Sequence, residues 1–229
     1  MTLPHGCWLE DLAWPEVAER LALGMPVLIP VGAAAKAHGL HLPLRTDALV
    51  ARALAQRLVD RLPLLAAPVL AVGHYPAFTA FAGSQSLSKA TFQAVVAELL
   101  AGLRTQGARR LVLLNTGVST EEPLESVVAG ADDVLVLHMR ALGRSADRLL
   151  DVAEGGHADE RETSLVLALD PRAVRVDRIA VDEPFEKTAA TGDARLASAF
   201  KGERVLAQQV DDAAAALVRR WPDLLTSGR

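Results

Sequence analysis

Two short stretches of this 229-residue chain carry residues that could hold a metal or move a proton. The first runs His38-Gly-Leu-His41-Leu-Pro-Leu-Arg-Thr-Asp47, placing two imidazoles and a carboxylate within ten residues. Neutral imidazole nitrogens and carboxylate oxygens are the ligands that zinc and manganese take from proteins. The second runs His157-Ala-Asp159-Glu160-Arg-Glu162-Thr-Ser. Its His157 and Glu162 could converge on the cavity that receives His38 and Asp47. Each stretch also has a plainer reading. The first could be a loop with two exposed histidines and an aspartate favouring a helix N-terminus. The second could be a polar helix start with Asp159 and Glu160 near the positive end of the dipole.

The elements that must position these residues are read from hydrophobic patterning. Short apolar runs at 26–31 (PVLIPV), 65–72, 110–114 (RLVLL) and 134–138 (VLVLH) read as buried strands. Helical patterns lie between them. One opens at Trp14-Pro15, one runs from about Asp47 to Arg61 with Thr46 as its cap, and one spans 88–105. Others start near Glu122, cover 159–168 and fill 203–220. The segment 174–182 reads as a late strand or an extended stretch. Strands alternating with helices predict a single α/β domain over 1–229, three layers deep (α/β/α), with a central, mostly parallel sheet. Such sheets place ligand sites in the loops after the strand C-termini. Both clusters fall in such loops, as do the segments 74–88 and 115–122.

Composition narrows the function classes. The chain is 51% hydrophobic, enough for a core without disulfides, and Cys7 is its only cysteine. A net charge of -4 gives no reason to expect nucleic acid or an anionic membrane as partner. The first eight residues lack a basic segment followed by an apolar run, and no apolar stretch is long enough to span a bilayer. A cytoplasmic protein acting on a small molecule is the expectation.

Four motifs in order give the clusters a context. They are the His38–Asp47 stretch, Phe81-Ala-Gly-Ser-Gln-Ser-Leu-Ser88, the His157–Ser164 stretch, and Gly192-Asp-Ala-Arg-Leu-Ala-Ser-Ala-Phe-Lys-Gly202. Together they resemble the creatininase family, whose pattern runs E-x-H-G-x-H-L-P-L-x-T-D, F-P-G-T-x-S-L-S, N-G-H-x-x-N, H-A-G-x-x-E-T-S and G-D-x-R-L-A-x-A-x-K-G. The resemblance implies an α/β/α fold, hydrolysis of a C–N bond in a cyclic amide or amide-like substrate, and a symmetric homo-oligomer, with Trp8, Trp14 and the Phe78–Phe81 loop as candidate contacts. It also implies two divalent metals sharing an aspartate.

Only half of that metal site carries over. His38, Asp47 and Glu162 match the ligands of one metal, and His157 matches the family's catalytic histidine. The other metal's glutamate falls on Lys36 and its histidine on Gly117, in Asn115-Thr116-Gly117. A charged ammonium has no lone pair and a glycine has no side chain, so neither can bind a cation. Ser119 stands where the family often has a carboxylate, and Asp159 where it has glycine. The carry-over implies one divalent ion, zinc or manganese, or none. Lys36 is then expected to turn inward, within about 4 Å of Asp47, returning one positive charge to the place of the missing ion; the alternative is that the extra residue in Ala33–Ala37 swings it out to solvent. As a candidate catalytic residue it would also stabilise a developing oxyanion. His41, His74, Tyr75 and Ser119 are candidate pocket residues. Three readings stay open at this point: a mononuclear amidohydrolase with His157 protonating the leaving nitrogen, a non-catalytic binding or scaffold protein, and metal-free acid–base chemistry by His157 and Glu162.

Overall fold

The structure is a computed structural model that describes residues 3–151, 156–180 and 183–227. Five parallel strands form one sheet. They are β1 (Cys7–Trp8), β2 (Val27–Val31), β3 (Leu65–Ala66), β4 (Leu111–Asn115) and β5 (Val134–His138), in the order β1-β3-β2-β4-β5. The helices are α1 (Trp14–Ala22), α2 (Thr46–Val59), α3 (Lys89–Thr105), α4 (Glu121–Val128), α5 (Glu160–Leu169), the single turn α6 (Phe185–Thr188) and α7 (Ala199–Arg220).

Side-chain alternation along the strands sorts the helices into two layers. Leu28, Ala66, Val112 and Leu114 pack with Val50 and Leu54 of α2, Leu165 of α5 and Val205 of α7. Val27, Ile29, Leu111 and Leu113 face the other way, onto Leu21 of α1, Phe92 and Val96 of α3 and Leu124 of α4. The expected three-layer α/β/α domain is present. In the first layer α5 and α7 cross very closely, because a Cβ on Gly202 would come within 1.9 Å of the Ser164 carbonyl oxygen. The Ser-Ala-Phe-Lys-Gly end of the fourth motif is therefore a packing device.

Several local expectations need correction. The apolar run at 65–72 forms a strand over only two residues, with one further bridge between Leu70 and Val31. Pro30 supplies a reason. The even-numbered residues of β2 face β3: the Leu28 and Pro30 carbonyls accept from Ala67 and Leu70, and Gly32 N donates to Leu70 O. Pro30 has no N–H to give on that side, and Pro68 lies in the facing segment, so the ladder lapses between them. Thr46 is the first residue of α2 and donates its hydroxyl to Pro43 O at 2.7 Å, while Arg45 holds the cap position without a side-chain cap. The segment 174–182 forms a short 3₁₀ turn at Val176–Arg178 and no strand among its described residues; positions 181 and 182 lie outside them. The last long helix begins at Ala199, four residues early, because Ser198 caps it by accepting from Lys201 N.

Candidate active site

The loop from β2 to α2 and the start of α5 meet above the C-terminal end of the sheet. Lys36, His38 and Asp47 come from the first and His157 and Glu162 from the second. Lys36 is buried, and its Nζ lies 2.6 Å from Asp47 Oδ2. The same ammonium sits 5.2 Å from the centre of the Phe78 ring. Asp47 Oδ1 is 3.0 Å from His38 Nε2. Burial by itself would push the Asp47 carboxyl up, but the Lys36 ammonium and the His38 ring prevail and hold it well below the usual carboxylate range. The expected inward lysine is thus in place, and it faces the carboxylate that the family shares between two ions.

Two backbone carbonyls orient the imidazoles. His38 Nδ1 donates to Lys36 O at 2.8 Å, which turns Nε2 inward. His157 Nε2 donates to Ala37 O at 2.8 Å, which leaves its Nδ1 3.5 Å from Glu162 Oε2. Fixing one ring nitrogen so that the other presents its lone pair is how proteins prepare histidines as ligands or bases. Burial, followed by the charges at His38 and Lys36, pushes the His157 pKa down to about 3, so the ring is neutral at physiological pH. Its backbone is pinned as well, exchanging hydrogen bonds with Thr191 at 3.0 and 2.8 Å. Glu162 Oε2 accepts from Ala158 N at 2.7 Å.

His38, His157 and Glu162 each bring one ligand atom to within 4.8 Å of the others. Two imidazoles and a carboxylate are a zinc-type donor set. The 3.0 Å between His38 Nε2 and Asp47 Oδ1 is also close to the ~3.3 Å that separates two tetrahedral ligands with bonds near 2.0 Å. Asp47 is outside that group of three and meets it at His38, so either His157 or Asp47 would complete a set with His38 and Glu162, and the residues present fit one divalent ion. They do not fit two, because Lys36 occupies the far side of Asp47 and Gly117 has nothing to offer. A Cβ built on Gly117 would lie 4.0 Å from Asp47 Oδ2, so a side chain at this position would reach that carboxylate. The space left there is a small pocket of about 10 Å³ between Lys36, Asp47, Tyr75, Gly117 and Thr120, roughly one water in size.

Asp159 is no substitute ligand. It caps α5, its two carboxylate oxygens accepting from Glu162 N at 2.9 Å and Gly156 N at 2.7 Å. Tyr75 is buried beside the small pocket with its hydroxyl unpartnered, and burial followed by the Asp47 charge pushes its pKa up. Ser119 lines both this pocket and a larger cavity of about 520 Å³. His41 and His74 line neither of these two spaces. His41 is buried against α5, where its Nε2 meets Thr163 Oγ1 at 2.8 Å. Burial and the charge at His38 lower its pKa to about 4. His74 is held by Leu87 O at 3.0 Å.

The large cavity opens onto Lys36, His157 and Glu162. Phe78 forms one wall, its ring 4.6 Å from that of His157 and backed edge-on by Phe185. Arg140, Arg144 and Arg161 also line it. Sequence reasoning missed these arginines because nothing in their spacing separates them from ordinary surface arginines.

A parallel α/β sheet whose strand ends gather histidines, carboxylates and a cavity is the frame of a metal-assisted hydrolase. The family model described as creatininase, creatinine amidohydrolase, matches residues 10–217, and the chain belongs to that family. The creatinine amidohydrolase of Pseudomonas putida is 30% identical over 251 residues, covering 93% of this chain and 96% of its own. A mycofactocin precursor peptide peptidase of Mycobacterium ulcerans (strain Agy99) is also 30% identical, covering 86% of each chain. Among solved structures, the one described as "Creatininase Mn" superimposes with a TM-score of 0.86 at 26% identity, covering 95% of this chain and 99% of that one.

Proposed function

We propose that this protein hydrolyses a C–N bond in a cyclic amide or amide-like small molecule, with one divalent ion per chain, zinc or manganese, held by His38, Asp47 and Glu162. The observation that carries this reading is the fixed pair of ring nitrogens of His38 and His157 beside Asp47 and Glu162, of which His157 and Glu162, with Lys36, line a cavity of about 520 Å³. The related amidohydrolase and peptidase both cleave bonds of the amide type. When bound, a divalent ion supplies Lewis acidity and lowers the pKa of water at its open position.

The chain's own residues do the rest. His157 is neutral in the resting protein, so it begins as a base. Its Nδ1 takes the proton of the attacking water and then returns it to the leaving nitrogen. Its earlier assignment as the acid therefore holds for the second half of the reaction only. Lys36 uses one N–H on Asp47 and lines the cavity, where its charge favours an oxyanion growing on the carbonyl. Phe78 closes one wall and lowers the local polarity, which strengthens these interactions.

One observation favours a second reading. Lys36 already neutralises Asp47 without any ion, so the pocket is electrostatically complete as a binding site. Purified protein supplied with zinc or manganese, assayed against lactams, cyclic ureas and formamides, separates the two. Turnover is expected, and His157→Asn should lower it by roughly 10²–10⁴-fold. No turnover across the panel, or none lost in H157N, refutes the hydrolase.

Assembly into a homo-oligomer belongs to the same proposal. Of its expected contacts, Trp8 is instead buried, with its Nε1 donating to Gln56 Oε1 at 2.7 Å, and Phe78 is also buried. Trp14 stays 82% exposed, and the loop is still exposed at Thr79 and Ala80, so light scattering should lose the multimer in Trp14→Glu if the Trp14 contact carries it.

A further inference from the structure

Arginines gather at the mouth of the cavity. Arg140, Arg144 and Arg161 line it. Arg140 is matched one to one by Glu121 Oε2 at 2.7 Å. Arg144 and Arg161 instead share a single carboxylate, Asp147. Arg144 Nε lies 3.0 Å from Oδ2, and an Arg161 terminal nitrogen closes on Oδ1. Glu162 lines the same cavity beside Arg161, so the two guanidiniums on Asp147 carry one uncompensated positive charge once Glu162 is engaged by the proposed ion, close to where a substrate must pass. Arg161 is largely buried, its side chain 14% exposed, so water screens that excess poorly. Holding like charges together in a wall of a cavity is costly unless an anion completes the set.

We infer that Arg144 and Arg161 form a recognition site for a carboxylate on the substrate, the Asp147 carboxylate holding their planar forks towards the cavity. A monoanion restores neutrality, and a guanidinium fork matches a carboxylate through paired N–H groups. This inference rests on the proposed hydrolase and narrows its substrate to amides that bear a carboxylate away from the scissile bond. Remote binding of that group would hold the amide carbonyl near Lys36 and His157.

Acetate is the test probe, with acetamide as its uncharged isostere and chloride as the ionic-strength control. The side-chain Nε–Hε NMR signals of Arg144 and Arg161 in the intact chain are assigned through R144Q and R161Q. Acetate should shift both signals saturably, acetamide and chloride should not, and acetate affinity should fall about tenfold or more in R161Q, the loss of one charge-assisted contact. R161K keeps the charge without the fork and should fall between. Shifts equal in chloride and acetate, or confined to exposed arginines such as Arg109, would overturn the inference. So would an acetate affinity unchanged in folded R161Q. The titration is read on the zinc-loaded chain, in which Glu162 is engaged, and needs no turnover. A protein that turns over amides with no acetate response at Arg144 and Arg161 defeats this inference alone, and one with the response but no turnover on any amide defeats the hydrolase alone.

Discussion

Replacing Lys36 by Met should be among the more damaging single changes in this protein. The substitution keeps an unbranched apolar stem against Phe78 and removes the ammonium 2.6 Å from Asp47 Oδ2. Asp47 is only 3% exposed, so water cannot take over. Breaking a buried ion pair from one side costs about 3–5 kcal/mol, because the remaining charge stays desolvated. His38 remains 3.0 Å from the other carboxylate oxygen and offsets part of that, which places the expected loss near the lower end, about 3 kcal/mol. For a chain of this size each kcal/mol moves Tm by about 2–4 °C, so a fall of about 6–12 °C is expected. Urea denaturation in the presence of a chelator is the assay, run on K36M, D47N and the double variant. The double should lose less than the sum of the singles by at least about 1.5 kcal/mol. A K36M protein within about 0.5 kcal/mol of the parent, the range of an ordinary surface change, would refute the compensation of Asp47.

Two further changes probe the surroundings. His41 has a pKa lowered to about 4 in the fold against an ordinary 6.5, so as pH falls the unfolded chain takes up its proton first. Its share of stability is therefore complete above about pH 6.5 and is lost on the way down to about pH 4, roughly 2–3 kcal/mol in all. His41→Gln should flatten the stability profile in that window, and an unchanged difference between pH 7 and 4.5 would count against the assignment. Gly202→Ala inverts the usual rule: an alanine for glycine inside a helix ordinarily stabilises by about 1 kcal/mol. Here the new Cβ would meet Ser164 O at 1.9 Å, so thermal unfolding should report a loss of about 3 kcal/mol as α5 and α7 are forced apart.

The fold was readable because its longer strands are short, continuous apolar runs, buried at every residue in β2 and β4, and its helices are long enough to show their faces. What could not be read were contacts set by backbone geometry. Pro30 cuts β3 short only because its missing N–H happens to face that strand. Asp159, a candidate metal ligand by type, is spent on the α5 N-terminus, and His41 turns to Thr163. In the site, the placement of Lys36 followed from charge: a buried carboxylate that had lost a cation needed another. The Arg144–Asp147–Arg161 group had no such signal: Arg144 and Asp147 belong to the loop after β5, for which the motifs offer no counterpart, and Arg161 stands at a variable position of the third motif on α5.

The central claim is that a lysine has taken the place of one of two metal ions. Native mass spectrometry of the chain loaded with excess zinc or manganese and then desalted tests it most directly. The account predicts one ion per chain in the parent protein, and two in the double variant Lys36→Glu/Gly117→His, whose new side chains face Asp47 from positions 36 and 117. Two ions per chain in the parent would contradict the replacement of a metal by Lys36, and none would contradict the mononuclear hydrolase.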